Sequence, residues 1–116
     1  MDKVIWITLL YDFYGQLLTE RQQRFIDLYY GQDFSLGEIA EEYQVTRQAV
    51  HDTLKRAEKL LAGYEGKLGL VDKFMCQRKV IAEALDLLKA FRQDRNPDQL
   101  DRIEQILAEI TELEEK

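Results

Sequence analysis

Residues 35–61 read SLGEIAEEYQVTRQAVHDTLKRAEKLL, and this stretch decides how the rest of the chain is to be understood. Ser35 stands three residues before Glu38, the spacing at which a hydroxyl caps a helix and the glutamate reaches back to the capping residue's own N–H. Phe34 and Ile39 flank that start as a hydrophobic staple, so a helix is expected from Leu36. Leu36, Ile39, Ala40 and Tyr43 fall on one face of it, and Glu38, Glu41 and Glu42 on the other. Thr46 is the next good cap, with Val45 before it and Val50 four positions into the helix that follows. Ala49, Val50, Thr53, Leu54, Ala57, Leu60 and Leu61 form the expected buried stripe of that second helix. Two short helices about a tight turn make a helix-turn-helix candidate.

The outside of the second helix is left with Arg47, Gln48, His51, Asp52, Lys55, Arg56 and Lys59. In this motif the second helix enters the major groove, where Arg, Lys and Gln side chains read base edges or neutralise phosphates. Gln48 and His51 are the expected readers, with Arg47, Lys55, Arg56 and Lys59 as phosphate partners. A polar outer face is also what any amphipathic surface helix presents, so the pairing of capped helices speaks for the fold and not by itself for the nucleic-acid contact.

Outward from this stretch, every segment has helical period. Val4 to Tyr14 is dense enough in branched and aromatic side chains to tolerate a strand, but no partner strand is evident elsewhere, so a helix ending at Gly15 is expected. Its aromatics Trp6, Tyr11, Phe13 and Tyr14 read as core material. Thr19 and Gln22 form a second capping box for a helix with Phe25, Ile26, Leu28 and Tyr29 on its apolar side, closed by Gly31. Residues 1–62 are thus read as a four-helix unit in which the first two helices brace the pair at 35–61.

Gly63, Gly66 and Gly69 interrupt the pattern and mark 63–69 as a loosened connection. Beyond it Leu70, Phe74, Ile81, Leu85, Leu88 and Phe91 lie on one helical stripe. Asn96-Pro97-Asp98 then starts a last helix with Asn96 as cap and Pro97 in the first turn. Residues 70–116 are expected to form a helical hairpin. The stripe Leu100, Ile103, Leu107 and Ile110, widened by Ile106 and Leu113, exceeds what one neighbouring helix covers and is assigned to a homodimer or docking interface. A hairpin folded back on the N-terminal unit is the other reading. Glu112, Glu114 and Glu115 read as a solvated end.

The chain has 116 residues, 46% hydrophobic and 33% charged, which suits one compact domain with or without a helical appendage. No apolar run approaches the roughly 18 residues of a membrane span, and the opening residues do not form a signal peptide, so a cytoplasmic protein without membrane insertion is expected. A single cysteine, Cys76, allows no internal disulfide and no cysteine metal cluster. The net charge of −6 argues against a protein whose entire surface binds nucleic acid. Within 46–61, however, Arg47, Lys55, Arg56 and Lys59 outnumber Asp52 and Glu58. His51 is the only histidine, and no glycine-rich phosphate loop, HExxH or CxxC is present. No enzyme and no cofactor is expected.

The run from Leu9 to Leu70 resembles the YlxM family of small bacterial proteins. The residues that carry the likeness are LLYDFY, LTERQ, LYY, DFSLGEIAEEY, Arg47-Gln48-Ala49-Val50 and Lys55-Arg56, in that order. Its helix-turn-helix portion is similar to region 4 of sigma factors. The resemblance implies an all-α fold, a sigma region 4-like unit followed by a C-terminal helical hairpin. It also implies a regulatory role in the signal recognition particle pathway, an inference for the family from genes lying beside those of the targeting GTPase and its receptor. Implied partners are DNA or the particle's RNA, and the targeting GTPase or its receptor. Gln44 departs from the glycine that many such motifs carry in the turn.

Overall fold

The computed structural model describes the backbone of residues 2–115 and the side chains of residues 2–112. Among the described residues there are six α-helices and no strand: α1 Lys3–Tyr14, α2 Glu20–Ile26, α3 Leu36–Tyr43, α4 Arg47–Leu68, α5 Leu70–Asp94 and α6 Pro97–Glu115. The all-α reading is correct. A 3-10 turn over Gly15–Leu17 follows α1, and a π turn over Asp27–Gly31 extends α2.

The helix starts are set locally. Asp2 accepts from Val4 N at 3.0 Å and begins α1, which with no strand to pair against buries Ile7, Leu10 and Tyr14 at helical spacing. Both expected capping boxes are present. Thr19 and Gln22 exchange hydrogen bonds at the start of α2, and Ser35 and Glu38 do the same at α3. The aromatics of α1 divide: Tyr14 is buried, Trp6 and Tyr11 are half-buried, and Phe13 is exposed.

The chain divides into two compact units, Met1–Val71 and Asp72–Lys116. In the first, α1, α2 and α3 all pack on α4, which buries Val50, Leu54, Ala57 and Leu61 in one line. Ala49 and Leu60, expected in that line, are exposed, because each sits about 100° round the helix from a buried neighbour and the three covering helices do not reach that far. The core continues through Leu18, Phe25, Ile26, Leu28, Ile39 and Ala40, with Phe34, Leu36, Tyr43 and Val45 packed around it.

The expected connection at 63–69 is a correction. α4 runs unbroken through Gly63 and Gly66 to Leu68 and ends only at Gly69, whose φ of 64° is the left-handed cap that glycine adopts without strain. A helical glycine costs about 1 kcal/mol relative to alanine, and the packing of Leu61 and half-buried Tyr64 on the core offsets it. The first turn of α5 is held by the same unit: Leu70 N donates to the Tyr14 hydroxyl at 3.0 Å and Val71 N to Glu65 Oε1 at 3.0 Å. Tyr14 in turn donates to Glu65 at 2.6 Å. Two amides that a helix start leaves unpaired are thereby satisfied by side chains of α1 and α4.

In the second unit, Arg102 of α6 makes a bidentate pair with Glu83 of α5, at 3.0 and 3.2 Å, and Asn96 caps α6 through Asp98 N at 3.0 Å. The expected stripe on α5 is displaced. Val80, Ala84, Leu87 and Phe91 are half-buried, whereas Leu70, Phe74, Ile81, Leu85 and Leu88 are exposed. The expected interface on α6 also divides: Leu100 and Leu107 are exposed, Ile103 and Ile110 are half-buried, and Ile106 is fully buried. The parts assigned to Leu113, Glu114 and Glu115 lie outside the described side chains. Cys76 is exposed on α5.

Candidate nucleic-acid interface

The turn between α3 and α4 is built from three residues. Gln44 takes the left-handed conformation, with φ 54° and ψ 48°, and Val45 N returns to Ala40 O at 3.0 Å. Thr46 then accepts from Ala49 N at 3.0 Å and opens α4. The sequence places glutamine where glycine is the unstrained choice, and the chain makes the turn regardless.

With Val50, Leu54, Ala57 and Leu61 turned inward, the helical period puts Gln48, Asp52, Lys55 and Lys59 in a line on the opposite side. His51 lies on one shoulder of that line and Arg56 on the other. All six expected contact residues, Arg47, Gln48, His51, Lys55, Arg56 and Lys59, are solvent-exposed, and no other part of the described chain covers them. Arg47 leans across α3: a methyl group placed on Gly37 would come within 3.0 Å of its Nε, so the missing side chain at Gly37 makes room for the guanidinium.

Two carboxylates, given no role by the reading of the sequence, organise this face. Asp52 accepts from Gln48 Nε2 at 2.8 Å and has His51 Nδ1 at 3.6 Å, so both expected readers converge on one acid. Glu58, only 13% exposed, draws in Lys3 at 3.1 Å and Lys55 at 3.8 Å and accepts from the Tyr30 hydroxyl at 2.9 Å. Burial and then that bond to Glu58 push the Tyr30 hydroxyl far above the usual tyrosine range. The four-residue step from Gln48 to Asp52 and the three-residue step from Lys55 to Glu58 were visible as helical neighbours. Lys3 and Tyr30 come from other elements, and no spacing announces them.

A second cationic cluster lies on α2. Arg21 stacks over both Phe25 and Tyr43, with its guanidinium carbon 5.8 and 5.5 Å from the ring centres, and Arg24 Nε donates to the Tyr43 hydroxyl at 3.3 Å. Tyr43 is the last residue of α3, so these arginines stand beside the segment that leads into α4. Among the described residues no group of three His, Cys, Asp or Glu side chains is placed to hold a metal ion, and no helix is long and apolar enough to cross a membrane.

Known proteins have sequences similar to this one over most of its length. Residues 1–103 match the family UPF0122, described as "Putative helix-turn-helix protein, YlxM / p13 like". A UPF0122 protein of Desulforamulus reducens is 58% identical over 106 residues, covering 91% of each chain. One from Acetivibrio thermocellus is 45% identical over 116 residues, covering 97% of this chain and 99% of its own. One from Thermoanaerobacter sp. is 44% identical over 115 residues, covering 97% of both. By this breadth of likeness, with the capped helix pair at its centre, the chain belongs to the UPF0122 family of YlxM/p13-like helix-turn-helix proteins.

Proposed function

We propose that this protein is a regulatory factor that holds nucleic acid, DNA or RNA, against the outward line of α4. The observation that carries the reading is the exposure of Arg47, Gln48, His51, Lys55, Arg56 and Lys59 on a helix whose other side is locked into the core. Gln48 and His51 would meet base edges, and Lys55, Arg56 and Lys59 would meet phosphates, with Arg47 on the α3 flank. Asp52 and Glu58 lower the local positive potential, so the binding expected is modest and strongly dependent on salt. By the likeness seen in the sequence, the pathway we assign is co-translational targeting, with the signal recognition particle's RNA as a ligand to be tested alongside duplex DNA.

The test is a titration of both nucleic acids at two salt concentrations. Each phosphate neutralised on a duplex contributes about −0.9 to the slope of log affinity against log salt. Lys55→Ala combined with Arg56→Ala should weaken binding and flatten that slope by about two phosphate contacts. Binding that ignores both the substitutions and the salt removes α4 from the interface.

A second reading has its own observation. Lys55 is drawn to Glu58, Gln48 and His51 are drawn to Asp52, and the chain carries a net charge of −6. In this reading the helix pair serves an adaptor that docks on the targeting GTPase or its receptor without nucleic acid. Capture of that GTPase unchanged by nuclease treatment, together with no measurable affinity for either nucleic acid, would favour it.

A further inference from the structure

Two exposed arginines of α2 are held in place by aromatic rings rather than by acids. Arg21 lays its guanidinium over the rings of Phe25 and Tyr43, 5.8 and 5.5 Å from their centres, and those two rings meet edge to face at 5.0 Å. Phe25 is fully buried, so the stack is anchored in the core. Arg24, one turn along, donates from Nε to the Tyr43 hydroxyl at 3.3 Å. A guanidinium that stacks through its face keeps the N–H groups of its edge, and one that donates from Nε keeps both terminal nitrogens. Each arginine is therefore fixed by the fold while a fork of donors stays free for an acceptor from outside.

The acids that engage other cations do not reach these two. Lys3 and Lys55 are drawn to Glu58, and Arg102 to Glu83 and Glu109, whereas among the described residues no carboxylate pairs with Arg21 or Arg24. Asp27 and Glu42 act on Arg24 through space, without a bond. Arg21, Arg24 and Tyr43 line an open depression of about 500 Å3 together with Thr19 and Glu20, the one acid among these lining residues.

We propose that Arg21 and Arg24, held by Tyr43, form a phosphodiester site for a strand of the nucleic acid carried by α4. The site rests on that nucleic-acid reading and adds to it an element outside the helix pair. Phosphate is the acceptor that a free guanidinium fork matches with two parallel bonds. Continuity with α4 selects a nucleic-acid strand as its source. Tyr43 and Arg47 are four residues apart, which keeps their Cα atoms within about 15 Å, and a major groove is about 12 Å wide with phosphates along both rims. A duplex that receives α4 in its groove thus brings one rim within reach of the α2 arginines. Arg47, leaning over Gly37, sets a further guanidinium on α3, the helix that ends in Tyr43.

The test titrates the full chain and its variants with two labelled DNA duplexes of unrelated sequence and with a labelled RNA hairpin, at about 50 and 200 mM salt. The arm that responds says whether the strand is DNA or RNA. Arg21→Ala with Arg24→Ala should weaken every nucleic acid that binds, and the two duplexes by the same factor, since these contacts read no base. Two lost phosphate contacts remove about 1.8 from the duplex salt slope, so the wild type should lose about tenfold more affinity than the variant across that range. Arg24→Gln should remove about half of that slope, and it decides the matter where the double variant folds poorly. Lys55→Ala with Arg56→Ala separates the site from the reading beneath it. Losses in both double variants support both. A loss at α4 with none at α2 overturns the arginine site alone, and a loss at α2 with none at α4 supports the arginine site while removing α4. A wild-type chain that binds none of the three overturns both. Polyglutamate binding that the α2 variant abolishes, with nucleic-acid affinity unchanged, assigns the arginines to an acidic protein and overturns the proposal.

Discussion

The two units enclose their apolar side chains to very different degrees. In the first, a continuous cluster from Ile7 to Val71 is buried, although Val4, Ile5, Phe13, Leu60 and Leu68 leave apolar side chains on its surface. In the second, among the described side chains, Ile106 alone is fully buried, and α5 keeps apolar residues on two adjoining faces. The lesson is that hydrophobic content does not distinguish a finished core from an unfinished one; what differs is how many apolar side chains the unit's own helices enclose. α4 has its apolar face covered by three helices of its own chain, and α5 keeps a second apolar line, Ile81, Leu85 and Leu88, exposed.

Substitution should make the contrast quantitative. Leu54→Ala, inside the first unit, is expected to cost about 2–5 kcal/mol in urea unfolding, whereas Leu107→Ala in the second should change monomer stability by less than about 0.5 kcal/mol. Equal losses would erase the distinction.

A smaller effect attends the point where the first unit grips the start of α5. Tyr14→Phe removes the hydroxyl that donates to Glu65 and accepts from Leu70 N, and should cost about 1–3 kcal/mol. The same hydroxyl gives a pH signature. Burial and the Glu65 bond raise its pKa, as burial and Glu58 raise that of Tyr30, above the value of about 10 of a tyrosine in the unfolded chain. Below pH 10 both states hold these protons and the stability is complete. As pH rises above that value the unfolded chain releases them first, and stability falls. Tyr14→Phe should shallow that alkaline decline, which a pH series of thermal melts would record.

Next in size are the helix interior and the turn. Gly63→Ala and Gly66→Ala meet no atom within 4 Å and should each stabilise by about 0.5–1 kcal/mol, as expected in a continuous helix. No gain in thermal stability would mean that these residues are not helical in solution. Gln44→Gly should gain a similar or smaller amount, at most about 1 kcal/mol, by relieving the left-handed turn, and Gln44→Val should lose stability. The absence of any difference between those two variants would argue that the turn is made in another conformation.

What was legible in the sequence follows from range. Ser35 with Glu38, Thr19 with Gln22, and Thr46 with Ala49 involve groups three residues apart, and their spacing announced the helix starts and with them the helix pair. The exposed face of α4 was legible for the same reason. Its continuation past Gly63 was not, since glycine lowers helix propensity locally while the packing that overrides it comes from distant helices. The choice of face on α5 was equally hidden, because two apolar lines one residue apart give a periodicity that either satisfies. At the site, the engagement of Glu58 by Lys3 and Tyr30 needed the fold, whereas that of Gln48 by Asp52 could have been read from their four-residue separation.

The uninterrupted span of α4 has a mechanical consequence. Twenty-two residues without a break make a stiff lever about 33 Å long, with Gln48 near one tip and Glu65 near the other. Glu65 holds the opening amide of Val71, so one rigid element joins the face that carries Gln48 to the place where α5 begins.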